Sequence, residues 1–226
     1  MEEDQEVLEM VIHAIEQEPL QEDYRAVKLV TNVGDIDYRY YTAAGAKRGA
    51  IFVGGAGGGW DTPAKGVLYP QLCQELRGEA IACLRIRYRY PNRLEESVLD
   101  VLAGITFLES EGIEAIALLG HSFGGAVVIC AAAISQSVRT VVALSSQTYG
   151  VKPASQLAPR CSLLLIHGTS DRVLPASCSQ YIYSIAGEPK HLTLYNGADH
   201  YLDEVASEVI LEVRQWIVDK LNAIAL

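Results

Sequence analysis

Apolar positions in this chain follow two rhythms. Residues 3–18 place Leu8, Val11, Ile12 and Ile15 at helical intervals with acids between them, so the spacing predicts a helix that ends at Pro19. Tyr24–Thr31 and Ile36–Tyr41 alternate in part and flank Asn-Val-Gly-Asp, which reads as a β-hairpin.

Beyond Gly45, short apolar runs take turns with longer amphipathic ones. Ala50–Val53, Ala80–Arg85, Ala115–Leu119, Val138–Leu144, Cys161–Ile166 and His191–Tyr195 read as strands. Gly66–Leu76, Leu94–Ser110, Ser122–Ser135, Ala176–Ile185 and Leu202–Ile224 read as helices.

Strands that alternate with helices imply parallel pairing through right-handed crossovers. The unbroken apolar runs IALLG and SLLLIHG suit a sheet covered on both faces. The expected architecture is therefore one α/β domain. It has a mostly parallel sheet of about eight strands, an antiparallel edge hairpin, and helices on both faces. Residues 1–20 form an N-terminal helical extension to it. No repeat, low-complexity tract or linker interrupts the pattern.

Composition narrows the function. The chain has 226 residues, half of them apolar, enough for one full core. Its net charge of −10 repels phosphate backbones and anionic membranes, so neither nucleic acid nor membrane is an expected partner. The acidic opening MEEDQEVLEM is unlike a secretory signal, and no apolar run reaches the length of a membrane span. Five scattered cysteines without a C-x-x-C pair fit free thiols in a reducing cytoplasm. No cofactor or metal is expected, and oligomeric state is left open.

In open α/β sheets, chemistry collects in loops at the carboxyl ends of strands. The strand Ala115–Leu119 runs without spacer through Gly120-His121-Ser122-Phe123-Gly124 into a helix. The five-letter pattern is weak alone. A turn that sharp, however, strains its central residue, lifts the side chain above the sheet and needs glycines where a Cβ would clash. Ser122 is therefore the candidate nucleophile; the alternative is a plain helix cap.

A serine needs a base. Of five histidines, His13 lies in the predicted N-terminal helix, and His121 points away from Ser122. His167 braces the His-Gly-Thr-Ser-Asp loop, and His191 opens a strand. His200 follows the last strand at the carboxyl edge and is the candidate base. Asp171, in the loop after Cys161–Ile166, is the candidate acid that orients it; its alternative role is to cap the helix after Pro175. Asp199 is too close to His200 in sequence, and Asp203 suits a helix first turn.

The order Ser122, Asp171, His200 is that of α/β-hydrolases, not of chymotrypsin or subtilisin. Residues 24–223 resemble that superfamily. GHSFGG is similar to its nucleophile elbow, HGTSDRVLP to its acid loop, GADH to its histidine loop and FVGGAGGGWDTP to its oxyanion loop. The last has Gly54-Gly55 where the family usually has His-Gly. The resemblance implies an oxyanion hole made by the backbone N–H of Phe123 and one from the glycine run, Ala56 first, with Gly55 and Gly57 as alternatives. A phosphate cradle is disfavoured, since no G-K-[ST] follows and the run passes into Trp60-Asp61-Thr62-Pro63.

The closest flavour is the compact type similar to dienelactone hydrolases and small carboxylesterases. Dienelactone hydrolases proper carry a cysteine nucleophile, whereas this chain has serine. The implied activity is hydrolysis of small esters or thioesters through an acyl-enzyme on Ser122. A peptidase of the prolyl-oligopeptidase type and a non-catalytic binding module are the rivals. The stretch Ser145–Arg160, where the family inserts a lid, is short and rich in turn residues. The basic run Arg85–Tyr90 reads as an ion-paired strand end ahead of a site for acidic substrates.

Overall fold

A computed structural model describes residues 10–21 and 23–224. Among them, nine strands form one sheet in the order β1-β2-β3-β5-β4-β6-β7-β8-β9. The strands are β1 Ile12–Gln17, β2 Arg25–Thr31, β3 Ile36–Tyr41, β4 Arg48–Val53, β5 Ile81–Arg87, β6 Ala115–His121, β7 Val138–Leu144, β8 Ser162–Gly168 and β9 Lys190–Tyr195. β4 to β9 pair in parallel, whereas β1, β2 and β3 extend the sheet antiparallel from β5. The expected mixed sheet is present, with one strand more than expected.

The helices are α1 Leu68–Arg77, α2 Leu94–Ser110, α3 Phe123–Ile134, α4 Ser177–Ile185 and α5 Ala206–Asn222. Successive residues of a strand point to opposite faces, so each buried strand feeds two cores. Ile51, Leu84 and Leu118 face α2 and α3, where they meet Val101, Ile105 and Val127. Phe52, Leu119, Val142 and Leu164 face α1 and α5, where they meet Leu72, Val209, Val213 and Ile217. This burial on both sides explains the unbroken apolar runs. No helix among the described residues is long and apolar enough to cross a membrane.

The extra strand is a correction to the expected helix over 3–18. Ile12–Gln17 is extended and pairs with β2, with Ile15 opposite Leu29; residues 3–9 lie outside the described residues. Val11 and Ile15, which the helix would have buried, are exposed. A short helix is stable only when it packs an apolar face. Here the open backbone edge of β2 offers hydrogen bonds instead, and that pairing overrides the spacing.

The antiparallel end is covered by helix mainly on one face; on the other, α1 reaches only the end of β3 at Tyr41. Val27, Leu29, Ile36 and Tyr38 are buried. The opposite face aligns Glu16, Lys28, Asp37 and Arg87 as successive cross-strand neighbours of alternating sign. The basic run was expected to be a solvated, ion-paired strand end; Arg87 fits that, paired with Asp37 in solvent, whereas the Arg85 and Arg89 side chains are buried. The Arg85 side chain is buried and donates to the Trp60 carbonyl at 2.7 Å. Arg89 is buried, pairs with Asp100 at 2.5 Å and Glu96 at 2.9 Å, and donates to the Val33 carbonyl.

Burial raises the Asp100 pKa against the pull of Arg89. The pair ties β5 to α2 beneath the turn after β2. Removing one partner of a buried pair strands the other charge, so Asp100→Ala should destabilise the fold by about 3–5 kcal/mol in urea unfolding. Asp37→Ala, which breaks the exposed pair with Arg87, should stay within about 1 kcal/mol. Equal losses from the two substitutions would refute the distinction.

Candidate active site

The central feature is the junction of β6 and α3. Ser122 occupies it at φ 57°, ψ −117°, a left-handed conformation that strains any residue with a Cβ. Its amide donates to the Leu144 carbonyl of β7 at 2.8 Å, which locks the turn to the sheet. The flanking glycines are required sterically. A Cβ on Gly120 would lie 2.1 Å from the Gly124 carbonyl oxygen, and one on Gly124 would lie 2.4 Å from the Gly54 oxygen. Ser122 makes no capping hydrogen bond to α3, so the helix-cap alternative has no geometric support.

The glycine run lies against this turn. A Cβ on Gly55 would sit 3.5 Å from the Ser122 Cβ. The run then turns back through a hydrogen bond from the Gly58 amide to the Gly55 carbonyl. Ala56 is exposed just beyond that contact. Neither the Ala56 amide nor the Phe123 amide donates to a backbone carbonyl among the described turns and loops. Phe123 opens α3, where the first N–H groups have no intrahelical partner and favour negative charge.

Asp171 follows β8, with its carboxylate shielded from solvent. Its Oδ1 accepts the Val173 and Leu174 amides, each at 2.8 Å, and its Oδ2 accepts from His200 Nδ1 at 2.8 Å. Burial alone would raise its pKa; the Leu174 amide, the His200 imidazole and the Val173 amide outweigh burial and lower it. These amides belong to the acid's own turn, not to α4, which begins at Ser177. The capping alternative for Asp171 therefore has no support.

The other two acids are engaged elsewhere. Asp203 accepts the Lys65 amide at 2.5 Å. Asp199 forms an ion pair with Arg172 and accepts the His200 amide; Arg172 holds its pKa at about 2.

His200 lies in the loop after β9 and is 6% exposed. No side-chain hydrogen bond joins it to Ser122 among the described residues. Such contacts are commonly long without substrate and tighten in the complex. Their neighbourhood is set by His121, whose buried Nε2–H donates to the His200 carbonyl at 3.0 Å. The two rings lie 4.8 Å apart, and the His121 ring also packs on Tyr201 at 5.0 Å. His121 thus reaches the histidine loop, while its Nδ1 and the Ser122 Cβ both lie against Gly55. Sequence reasoning missed that link because its partner is a backbone carbonyl far along the chain, which no side-chain pattern reveals.

Two cavities open at this edge of the sheet. One of about 440 Å³ is lined by His200, Tyr201, Val173, Arg172, Asp199, Asp203 and Glu204. Another of about 500 Å³ is lined by Leu94, Glu95, Thr148, Tyr149, Gly150, Lys152, Pro153 and Tyr181. Residues 145–160 contain a single 3-10 turn, Lys152–Gln156, and no long helix.

Fold and site together define the class: the chain has the α/β-hydrolase fold, with serine, aspartate and histidine at the loop positions described above. Many solved structures share this fold. Est1E from Butyrivibrio proteoclasticus is 15% identical with a TM-score of 0.75, over 87% of this chain and 99% of that one. Dienelactone hydrolase from Anabaena variabilis is 16% identical with a TM-score of 0.72, over 92% of this chain and 99% of that one. An alpha-beta serine hydrolase homologue from Coxiella burnetii is 20% identical with a TM-score of 0.68, over 87% and 96% of the two chains. No protein-family model matches the sequence, and no curated protein matches it.

The buried histidines give stability a pH dependence. Burial lowers the His121 pKa to about 4 and lowers that of His167 as well, whereas both return to about 6.5 when unfolded. The unfolded chain then binds protons that the folded chain refuses. Stability should fall as pH drops through about 6.5, and for His121 the loss should end near 4. Each group contributes up to about 1.4 kcal/mol per pH unit. Urea unfolding between pH 7 and 5 should show this slope, and His121→Gln should reduce it by up to one proton. An unchanged slope in that variant would show that His121 is not responsible.

Proposed function

We propose that this protein is a serine hydrolase that cleaves small carboxylic esters or thioesters. The observation that carries the proposal is the 2.8 Å hydrogen bond from His200 Nδ1 to the shielded carboxylate of Asp171, in a loop tied to the residue that precedes a strained elbow serine.

The roles follow from the chemistry. Asp171 holds the His200 proton on Nδ1, which leaves Nε2 as the base. His200 Nε2 takes the Ser122 hydroxyl proton as Oγ attacks the acyl carbon. The carbonyl π bond opens to an oxyanion, stabilised by the backbone amides of Phe123 and Ala56. Protonated His200 gives its proton to the leaving alcohol or thiol, and the acyl–oxygen or acyl–sulfur bond breaks. Water, deprotonated by His200, then releases the acid.

The five free cysteines support a cytoplasmic setting.

Two measurements test the proposal. On an activated ester, Ser122→Ala should fold normally and lose several orders of magnitude in kcat. Asp171→Asn should lose roughly a thousandfold or more, because the wrong tautomer then faces the serine. Asp203→Asn should leave the rate nearly unchanged, since its carboxylate holds the Lys65 amide. Ser122→Ala activity within tenfold of wild type would overturn the mechanism, and a failure of Ser122 to react with a fluorophosphonate would favour a binding module.

The short 145–160 segment and the open cavities also predict small, soluble substrates. On p-nitrophenyl esters of two to twelve carbons, kcat/KM should fall as the acyl chain lengthens. A preference for the longest chain, or a jump in rate above the micelle concentration, would reject this open cleft.

A further inference from the structure

Asp171 meets two imidazoles, and only one belongs to the proposed triad. His167, the penultimate residue of β8, is fully buried. Its Nε2 donates to the Leu174 carbonyl at 3.0 Å and lies 3.1 Å from Asp171 Oδ2. That is the same oxygen that accepts from His200 Nδ1. Both neighbours of Nε2 are pure acceptors, so Nε2 must carry the proton. Its Nδ1 is then an acceptor, matched by the Ser179 hydroxyl at 2.7 Å. Strand β8 and helix α4 together clamp this tautomer.

We infer that His167 is a positioning residue whose Nε2–H shares Asp171 Oδ2 with His200 and so limits how strongly that carboxylate stabilises a protonated His200. The inference rests on the triad assigned above. Each added donor takes part of the carboxylate's charge. Without His167, Asp171 would hold the His200 imidazolium more tightly, and His200 would stay protonated, and inactive as a base, to higher pH.

The other groups around the pair have defined partners or lie further off. His121 bonds the His200 carbonyl. Arg172 and Asp199 pair with each other, Glu204 accepts the Asp199 amide, and Asp203 holds the Lys65 amide. Burial and then the Asp171 charge raise the pKa of the Cys178 thiol on α4, which keeps it neutral, and Asp61 of the oxyanion side acts on His121 through charge. Tyr201 packs edge-on to His200.

The test is the pH profile of kcat/KM. His167→Leu, which has no donor, should move the midpoint of the acid limb up by about half a unit to one unit, on the scale of one ordinary hydrogen bond. His167→Gln, whose side-chain N–H₂ can still donate, should restore much of the wild-type position. A brace without electrostatic effect would lower kcat in both variants and leave the limb in place, which overturns the inference.

If His167→Leu does not fold, the ¹⁵N spectrum of the wild-type imidazoles decides. His167 as neutral Nε2–H sustains the inference, and Nδ1–H or a charged ring at neutral pH overturns it. The His200 Cε1–H titration, followed by NMR, needs no turnover. A shift in His167→Leu without wild-type ester turnover overturns the hydrolase reading and keeps the Asp171 coupling. Turnover with no shift overturns this inference alone.

Discussion

The rest of the structure depends on one close approach. At the end of β6 the chain reverses into α3 through the single residue Ser122, so Gly120 closes on the Gly124 carbonyl and Gly124 on Gly54 until a Cβ on either would clash. Hard-sphere repulsion leaves room for hydrogen alone at those points. The reversal forces Ser122 to positive φ and raises its side chain above the strand ends. Strain of this kind persists only where surrounding structure over-determines it. Here the hydrogen bond from the Ser122 amide to Leu144 and the burial of α3 between sheet and α2 supply that determination.

Around the elbow, buried polar groups decide where loops can sit. Each such group needs a partner, and at this edge several of the partners belong to other loops. His121 reaches the His200 carbonyl, Asp171 gathers two amides and two imidazoles, and Arg172 bridges to Asp199. A single change in loop conformation would leave several of these groups unpaired at once. The acid and histidine loops are thus mutually positioned by hydrogen-bond satisfaction, as the strands are by apolar burial. The buried Nδ1 of His121 is an exception, with no partner among the described residues.

The antiparallel end of the sheet obeys a different economy. It has a core on one face and a ladder of alternating charge on the other. Arg39 packs between the rings of Tyr24 and Trp60, at 4.9 and 4.3 Å, which covers part of that face without a helix. Trp60 also receives the buried Arg85 guanidinium on its carbonyl. Trp60, which follows the glycine run, is therefore anchored on β3 and β5.

Much of this was legible in one dimension. Local rules determined the parallel strands, the five later helices and the hairpin, because period, turn chemistry and length are written in neighbouring residues. The elbow was legible for the same reason: glycine spacing around Ser122 encodes a steric requirement only a few residues long. The candidate acid and base were readable from their places after strands, once the sheet was assumed. Tertiary structure alone decided the rest. It made a strand of Ile12–Gln17, where a helix was expected, because an open backbone edge satisfies more hydrogen bonds than an unpacked helix stabilises. It also placed His121 on the His200 carbonyl and His167 on the carboxylate of Asp171. Those contacts join residues to partners that pack together only after the sheet forms, and the partners include backbone atoms that every residue carries, so no residue pattern marks them in advance.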